Sequence, residues 1–327
     1  MTRILITGGC GFIGHHLVNH ILVNTDWEIV ILDKLTYASN GFDRLRDINC
    51  FDDKRVHIFA ADFTQEIKEG LLSELGTIDY IAHLGAETHV DNSIGNAEPF
   101  VISNVIGTFR ILELARKLQP QKMLYFSTDE VFGDAPNGEA FKEWDRYNSK
   151  NPYAATKAGG EELCLAYANT YKVPVLISHT MNVIGERQHY EKFVPMVIRK
   201  ALLGEVVTVH SDPTRTISGS RFYIHARNVA SAVMFLLDKG QVRDKYNVVG
   251  EKEISNLEMV QVIGDIVGKE VKYNMVDFHS SRPGHDLRYA LNGEKMKKMG
   301  WNIPINFEES LTRTVKWSLD NRKWINL

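Results

Sequence analysis

A glycine-rich turn directly after the first apolar run constrains the fold of this chain more than any other feature. The run at residues 3–7 is typical of a strand, and apolar residues recur at helical spacing after Gly14. Glycines at positions 8, 11 and 14 suit a turn in which the backbone approaches a pyrophosphate at a helix N-terminus. The turn therefore predicts a dinucleotide-binding strand-helix-strand unit.

The residue at the end of the second predicted strand indicates which dinucleotide is bound. Asp33 follows Gly14 by nineteen residues. A carboxylate at this place can accept hydrogen bonds from an adenosine ribose, and it repels a 2'-phosphate. The spacing therefore favours NAD over NADP.

Short apolar runs alternate with helical patterns along the first half of the chain. The predicted strands are 3–7, 28–32, 56–60, 80–83, 122–127 and 175–179, and the clearest helices are 14–23, 104–118 and 153–171. Strands separated by crossover helices form parallel sheets. The predicted fold class is α/β, with a Rossmann-like doubly wound parallel sheet and a smaller, mixed α/β C-terminal substrate domain.

Length and rhythm together predict two domains. The chain has 327 residues, and domains average about 150 residues. After about residue 180 the strand-helix rhythm weakens and turn-rich stretches become frequent. We expect domains at 1–180 and 181–327, with residues from about 220 to 250 able to return to the first domain through a strand at 246–249.

Charge and apolar patterning exclude several partner classes. Lys plus Arg is 38 against 41 Asp plus Glu, which gives a net charge of −3. This balance argues against a nucleic-acid partner. No run of about 18 apolar residues predicts a membrane span, and no targeting segment is expected before the first strand. We expect a cytoplasmic protein without a membrane partner.

The cysteines and histidines do not form a metal-binding pattern. Cys10, Cys50 and Cys164 are far apart and include no CxxC pair, which fits a reducing compartment. His15 and His16 lie in the first predicted helix, where we expect histidines that face solvent. No metal site is predicted.

Tyr153 and Lys157 stand four residues apart, so a helix places them on one face. Tyrosine becomes a base near neutral pH only if its pKa falls from about 10 towards 7, which requires about 4 kcal/mol. A neighbouring ammonium and a cationic nicotinamide could supply this stabilisation. Ser127 and Thr128, at the end of a predicted strand, and Asn104 strengthen the assignment of an active site.

Asp129 and Glu130 follow Thr128 at the end of the fifth predicted strand. Consecutive strand residues face opposite ways, so both carboxylates can serve one substrate only if the chain leaves strand geometry after Ser127. Two carboxylates in one partly desolvated site do not both ionise easily. We therefore expect one to act as an acid and the other as a base, a division that an elimination requires.

Six segments carry a resemblance to the extended short-chain dehydrogenase/reductases, and among them to the dTDP-glucose 4,6-dehydratase family. These are GGCGFIG at 8–14, DKLTYASN at 33–40, HLGAETHVDNS at 83–93, FSTDEVFGD at 126–134, NPYAATKA at 151–158 and RPGHDLRYAL at 282–291. The first and fifth are shared with nucleotide-sugar epimerases and decarboxylases. The fourth and last are more specific to the dehydratases, and the resemblance spans nearly the whole chain.

The resemblance implies a hydro-lyase that converts a nucleoside-diphospho-glucose, dTDP- or UDP-glucose, to its 4-keto-6-deoxy derivative, with NAD as cofactor. Tyr153 and Lys157 would act in oxidation at carbon 4, with Thr128 positioning the 4-hydroxyl. Glu130 would be the base at carbon 5, and Asp129 would protonate the departing 6-hydroxyl. Such a reaction belongs to deoxysugar biosynthesis.

The resemblance also implies binding residues and an assembly. The cofactor-binding residues would be Gly8, Gly11, Phe12, Ile13, Gly14, Asp33, Lys34, Leu35, Thr36, Asp62, Phe63, Leu84, Ala86, Ser103, Tyr153 and Lys157. The substrate-binding residues would be Thr88, Asn182, Lys192, Arg221, Asn247, Arg282 and His285. Residues 1–180 would bind NAD and residues 181–327 the nucleotide sugar, in a homodimer formed through a four-helix contact of helices 104–118 and 153–171.

Two alternatives share parts of this pattern. A 4-epimerase or a UDP-glucuronate decarboxylase-like enzyme would need Tyr153 and Lys157 but not both Asp129 and Glu130. A non-catalytic NAD-binding scaffold would need none of the four. The segments at 183–190 and 211–223 depart from the family pattern and leave the nucleobase open.

Overall fold

A parallel β-sheet of seven strands forms the centre of the protein, which a computed structural model describes over residues 1–278 and 287–327. The strand order is β10-β6-β5-β4-β1-β2-β3, and each neighbouring pair is parallel. The strands are β1 (Arg3–Thr7), β2 (Glu28–Asp33), β3 (Val56–Ala60), β4 (Tyr80–His83), β5 (Lys122–Thr128), β6 (Val175–Thr180), β7 (Asn182–Ile184), β8 (Val207–Ser211), β9 (Ser220–His225), β10 (Lys245–Val248), β11 (Glu253–Ser255) and β12 (Tyr273–Asp277). The predicted fold class is confirmed.

Helices cover both faces of this sheet. Ile4 and Ile6 of β1 belong to a core that includes the first and ninth helices, whereas Leu5 belongs to the core under the sixth and seventh. The helices are α1 (Phe12–Asn24), α2 (Asp43–Asp47), α3 (Glu69–Leu75), α4 (Val90–Gly95), α5 (Glu98–Phe100), α6 (Gly107–Leu118), α7 (Pro152–Thr170), α8 (Phe193–Leu203), α9 (Ala226–Lys239), α10 (Asn256–Val267), α11 (Glu294–Lys298) and α12 (Phe307–Asp320). Apolar side chains alternate between the two faces of β1 because strand residues have a period of two.

The helix predicted at 104–118 begins differently in the structure. Residues Val101–Ile106 form a π-helical turn, and the regular helix α6 starts only at Gly107. The turn buries Ser103 and Asn104, which face the carboxyl end of the sheet. It therefore brings polar side chains to the region where ligands of parallel sheets bind.

The second half of the chain forms two small sheets and a separate apolar core. The sheets have the orders β11-β9-β7 and β12-β8. Their core contains residues of α8, α10 and α12. Strand β10 instead pairs with β6 of the large sheet, so the two halves of the chain are interleaved.

Two of the three histidines of α1 are buried, contrary to the expectation that they face solvent. His15 and His16 are 0% and 6% exposed. The ring Nε2 of His16 lies 3.2 Å from the carbonyl oxygen of Glu186. Helix α1 packs against α9 and is covered by the segment after β7, so little of its surface meets solvent. Among the described residues, no group of side chains is suited to hold a metal ion.

Cys10, Cys50 and Cys164 are buried free thiols. In the part of the chain that the structure describes, no helix combines the length and apolar character needed to cross a membrane.

The sheet order reverses between β1 and β4, because the chain returns to the centre after β3. Loops at the carboxyl ends of strands diverge at such a switch point and leave a crevice for ligands. The predicted cofactor and catalytic residues follow strands β1 to β5 at this edge, and Tyr153 and Lys157 lie in α7.

Candidate active site

The glycine turn after β1 requires glycine at two positions for different reasons. Gly8 has φ of +73°, and a Cβ there would lie 2.9 Å from the backbone of Gly85. A Cβ at Gly14 would lie 2.1 Å from the carbonyl oxygen of Gly8. The turn can therefore approach β4 and pack under α1 only without side chains at these positions.

This turn leaves the N-terminus of α1 able to hold an anion. Gly11 is the N-cap and offers no side-chain acceptor, and no acidic residue lies in the first helical turn. Gly11, Phe12 and Ile13 are partly exposed. Backbone N–H groups at such a helix start favour phosphate oxygens, so this part of the structure fits the pyrophosphate of NAD.

Asp33 ties the glycine turn to the loop after β2. Its carboxylate accepts the backbone N–H of Cys10 at 3.0 Å and that of Leu35 at 2.8 Å. Burial raises the pKa of Asp33, and these two hydrogen bonds oppose the rise. An ionised carboxylate has about four acceptor sites, so two remain for the hydroxyls of a ribose.

Lys34 and Ser103 lie together beside this loop. The Nζ atom of Lys34 donates to the hydroxyl of Ser103 at 3.3 Å and lies 3.7 Å from the carboxylate of Glu87. Leu35 and Thr36 continue the loop, and Leu35 has φ of +53°. The structure thus brings these predicted cofactor residues to one side of the crevice.

The predicted cofactor-binding residues after β3 and β4 differ in how exposed their side chains are. Asp62 is exposed and caps the turn after β3 by accepting the N–H of Thr64 at 2.9 Å. The ring of Phe63 is buried and packs edge-on against His83, so only its backbone can face a cofactor. Leu84 and Ala86 follow β4 and are partly exposed.

Helix α7 presents Tyr153 and Lys157 on one face, as the spacing predicted. Asn151 caps the helix by accepting the N–H of Ala154 at 2.8 Å. Lys157 Nζ donates to the carbonyl oxygen of Phe126 at 2.6 Å and lies 4.3 Å from the centre of the Tyr125 ring. Burial lowers the pKa of Lys157 to about 8.

The phenol of Tyr153 differs from the expectation of a lowered pKa. Burial, and then the charge of Glu130, raise the pKa of Tyr153 well above its usual value, and a hydrogen bond with Thr128 only partly opposes this. The ammonium of Lys157 donates to a backbone carbonyl instead of stabilising a phenolate. In this arrangement Tyr153 holds its proton at neutral pH.

The chain leaves strand geometry at the end of β5, which is the condition for both carboxylates to serve one substrate. Residues Asp129–Phe132 form a 3₁₀ turn, one residue later than predicted because Thr128 still belongs to the strand. The Thr128 hydroxyl caps this turn by accepting the N–H of Glu130 at 3.4 Å. The turn frees Asp129 and Glu130 from the alternation that a strand would impose.

The two carboxyl groups have different environments. Asp129 is 4% exposed, and burial, followed by the charge of Glu130, raises its pKa to about 7. Its Oδ1 accepts the hydroxyl of Thr128 at 3.1 Å. Glu130 instead accepts the side-chain amide of Asn151 at 3.0 Å through Oε2. Asp129 can therefore carry a proton near neutral pH.

A cavity of about 590 Å³ adjoins this turn and gathers most of the predicted substrate residues. Glu130, Thr88, Asn182, Lys192 and Arg221 all line it. The cavity lies between the carboxyl edge of the large sheet and the small sheets of the second half. Its size and polar lining suit a nucleotide sugar.

One predicted substrate residue, Asn247, does not line this cavity, and two others lie outside the described residues. Asn247 lies in β10 with its side chain fully buried. Its amide nitrogen donates to the carbonyl oxygens of Phe141 and Asn292, and its Oδ1 lies 3.0 Å from Nδ1 of His179. Its hydrogen bonds are therefore made within the protein interior. Arg282 and His285 lie outside the described residues.

Sequence reasoning missed several side chains of the site. Asn151 joins Glu130 to the start of α7, and its signal was the Asn-Pro pair typical of a helix start. His89, Glu191, His210, Tyr223 and Asn256 also line the cavity. These residues lie in separate loops, strands and a helix that converge only through tertiary structure, so no local spacing indicates them.

The segment at 183–190, which departs from the family pattern, mainly connects the two halves of the chain. Glu186 lies 2.9 Å from the ring Nε2 of His225, whose pKa is lowered by burial, and it forms an ion pair with Arg227 at 3.4 Å. Arg187 Nε donates to Asp47 at 2.6 Å. The segment at 211–223 also departs from the family pattern, and its residues Arg221 and Tyr223 line the cavity. This segment therefore has the more direct access to a substrate.

Comparison with known proteins places these features in one family. The model of the NAD dependent epimerase/dehydratase family matches residues 4–249. The low-salt glycan biosynthesis protein Agl12 of Haloferax volcanii is 38% identical over 317 residues, covering 97% of this chain and 98% of that protein. A dTDP-glucose 4,6-dehydratase of Escherichia coli is 34% identical over 347 residues, covering 99% of this chain and 94% of that protein.

A solved structure extends the similarity to three dimensions. The dTDP-glucose 4,6-dehydratase of Streptomyces venezuelae, crystallised with NAD, superimposes with a TM-score of 0.89 at 32% identity. The match covers 99% of this chain and 98% of that one.

Proposed function

The chain belongs to the NAD dependent epimerase/dehydratase family, and from this we propose that it is a nucleotide-sugar 4,6-dehydratase. Its substrate is a nucleoside-diphospho-glucose, with dTDP- or UDP-glucose as the first candidates, and its product is the 4-keto-6-deoxy sugar. The proposal makes the protein a hydro-lyase with NAD as cofactor. The similarity to dehydratases over nearly the full chain supports it.

The contrast between Asp129 and Glu130 carries the proposal. Eliminating water across carbons 5 and 6 needs a base for the carbon-5 proton and an acid for the 6-hydroxyl. Asp129 is buried with a pKa of about 7, so it can hold a proton to donate. Glu130 lines the cavity and suits the role of base. Epimerases and decarboxylases do not need this pair.

The remaining catalytic roles go to Tyr153, Lys157 and Thr128. When bound, NAD would supply the hydride acceptor for oxidation at carbon 4 and the hydride donor for reduction at carbon 6. Tyr153 receives the proton of the 4-hydroxyl, and Thr128, the last residue of β5, positions that hydroxyl. The ammonium of Lys157, fixed by the Phe126 carbonyl, supplies positive charge on the same face of α7 as Tyr153.

Substrate binding is proposed for four residues of the cavity. Lys192 and Arg221 supply positive charge for the diphosphate, and Thr88 and Asn182 supply neutral hydrogen-bonding groups. A diphosphate bound by these residues would bring the attached sugar close to Glu130, which lines the same cavity. The proposed domain division follows from it, with residues 1–180 holding the cofactor and most of 181–327 enclosing the nucleotide.

A product survey in heavy water tests the function. The protein is incubated with dTDP-, UDP-, GDP- and CDP-glucose in D₂O, and products are identified by mass spectrometry and NMR. A dehydratase yields a 4-keto-6-deoxy sugar with deuterium at carbon 5, because the proton taken by Glu130 exchanges before carbon 5 is reprotonated. Interconversion at carbon 4 without loss of water would instead identify an epimerase, and no turnover with any of the four would support a scaffold.

We also propose a homodimer formed by α6, α7 and their copies. Val101, Ile102 and Ile106 in and near the π-helical turn are 45%, 41% and 42% exposed. Burying such apolar side chains favours association. Light scattering at micromolar concentration should give twice the chain mass. A single-chain mass would remove the proposal.

A further inference from the structure

Helix α7 carries a buried carboxylate to which the proposed mechanism gives no role. Glu161 lies one helical turn after Lys157 and is 0% exposed. Burying a carboxylate costs free energy unless its oxygens are paired and hydrogen-bonded. The partners of Glu161 therefore show what this buried charge holds together.

Four side chains from four different segments of the chain surround the carboxylate of Glu161. The Ser127 hydroxyl, near the end of β5, donates to Oε1, and the Tyr147 hydroxyl donates to Oε2. The ring Nε2 of His179 in β6 lies 3.1 Å from Oε2, and Nζ of Lys245 in β10 lies 3.5 Å from the same oxygen. An ionised carboxylate has about four acceptor sites, so these partners saturate it.

The hydrogen-bond partners of His179 require a proton on both ring nitrogens. The amide nitrogen of Asn247 donates to two backbone carbonyl oxygens, so its Oδ1 faces Nδ1 of His179 at 3.0 Å and accepts a proton from it. Nε2 faces a carboxylate oxygen that already accepts the Tyr147 hydroxyl, so Nε2 donates as well. Glu161 is thus held between an imidazolium and the ammonium of Lys245. Burial opposes its charge, but the imidazolium and the hydrogen bonds outweigh burial and lower the pKa of Glu161 to about 2.

The Ser127 contact fixes the strand end from which the catalytic turn begins. Ser127 comes directly before Thr128, whose hydroxyl caps the turn Asp129–Phe132. On the other side of Ser127, the carbonyl oxygen of Phe126 accepts the ammonium of Lys157 at 2.6 Å. Two successive residues of β5 are therefore tied to α7, and together they set where the turn starts.

The Tyr147 contact fixes the segment that packs along the same turn. Tyr147 lies four residues before Asn151, whose side-chain amide donates to Oε2 of Glu130 at 3.0 Å. Between them, the backbone N–H of Asn148 donates to the carbonyl oxygen of Val131 at 2.9 Å. The segment that begins at Tyr147 therefore holds both the backbone of the turn and the carboxylate of its base.

We propose that Glu161 is a positioning residue for the elimination step. Through its two hydroxyl partners it holds the turn that carries Glu130 within reach of carbon 5 of the sugar. Glu161 is not among the residues that line the cavity, so it acts through these partners and not on the substrate. This inference rests on the proposed dehydratase function.

The four partners of Glu161 divide into two pairs with different effects. His179 and Lys245 compensate the buried charge and contribute to stability. Ser127 and Tyr147 lie in the two segments that hold the turn. Loss of either hydroxyl leaves the carboxylate paired with both cations, so the positioning of the turn can be perturbed without removing the charge or its counter-ions.

Single-turnover kinetics of Ser127→Ala and Tyr147→Phe test the positioning role. Rapid quench of the cofactor-loaded protein, followed by mass spectrometry, separates the 4-ketone from the dehydrated sugar, so oxidation and elimination are timed separately. Ser178→Ala is the matched serine control, because the Ser178 hydroxyl is buried and has no hydrogen-bond partner among the described residues. Tyr246→Phe is the matched tyrosine control, because the buried Tyr246 hydroxyl accepts the N–H of Gln241 at 2.7 Å. Cofactor content and thermal melting verify that each variant is loaded and folded.

The positioning role predicts a selective effect on the second chemical step. In both test variants, conversion of the ketone to the dehydrated sugar should slow about tenfold or more, because misplacing a catalytic group by about 1 Å can cost about a hundredfold in rate. Ketone formation should change far less, since Tyr153 and Lys157 lie on α7 itself. The ketone should therefore accumulate in both test variants and in neither control.

The outcomes that overturn the two proposals are distinct. If either test variant converts the ketone at the wild-type rate, or if oxidation and elimination slow by the same factor, Glu161 serves stability alone and the positioning role is wrong. If the wild-type protein forms no 4-keto-6-deoxy product from any nucleoside-diphospho-glucose, the proposed function itself fails. A product-forming wild type with unaffected elimination in the variants overturns the positioning role only.

Discussion

Replacing Asp129 with asparagine should stabilise the protein at alkaline pH while it removes the acid. The carboxyl is 4% exposed, and burial raises its pKa from 3.8 to about 7. Between these two values the folded protein binds a proton that the unfolded chain has released. Stability therefore falls as pH rises through this window, and the full penalty remains above pH 7.

The size of the effect follows from the two pKa values. A rise from 3.8 to about 7 corresponds to about 4 kcal/mol, at 1.36 kcal/mol for each unit of pKa. Asparagine has the same shape but cannot ionise, so it avoids this penalty. Relative to the wild type, Asp129→Asn should gain about 3 kcal/mol in free energy of unfolding between about pH 5 and pH 8.

Urea unfolding of the cofactor-free protein across this pH range measures the gain. Asp52→Asn, at an exposed position, is the matched control and should change stability by the same small amount at each pH. If the difference between Asp129→Asn and the wild type does not grow with pH, Asp129 does not carry a raised pKa. The division of acid and base roles would then lose its physical basis.

Three other perturbations have defined outcomes. Glu161→Gln should lower the free energy of unfolding by about 3 kcal/mol, because the carboxylate is fully buried beside His179 and Lys245. Urea titration measures this change, with Glu162→Gln at an exposed position as the control. Equal stability of the two variants would contradict the prediction. Gly8→Ala should weaken NAD binding by at least about tenfold in calorimetry, because its φ is positive and its Cβ would meet Gly85; unchanged affinity would refute the strain argument. Lys192→Met should raise KM for the nucleotide sugar with little change in kcat, and an equal fall in kcat would place Lys192 in the chemistry instead.

The central sheet was predictable because its information is local. Each strand is a short apolar run, helices connect successive strands, and Gly8 and Gly14 occupy places where a side chain would clash. The helical spacing of Tyr153 and Lys157 likewise needed only four residues of sequence. These patterns can be read from the sequence because the structures they predict depend on neighbouring residues and not on contacts with distant parts of the chain.

Features that depend on distant packing were not predictable. His15 and His16 lie in a helix whose sequence permits exposure, yet the segment carrying Glu186 arrives 170 residues later and covers them. The resemblance suggests that Asn247 binds substrate, but its amide nitrogen donates hydrogen bonds to the carbonyl oxygens of Phe141 and Asn292 instead. The raised pKa of Tyr153 also arises from burial that no local pattern records.

The most direct test of the account follows one hydrogen through the reaction. A nucleoside-diphospho-glucose carrying deuterium at carbon 4 is converted by the wild-type protein in ordinary water, and the product is analysed by NMR. The account predicts a 4-keto-6-deoxy sugar with that deuterium on carbon 6. Deuterium retained at carbon 4 of an epimerised sugar, or a substrate recovered unchanged, would contradict it.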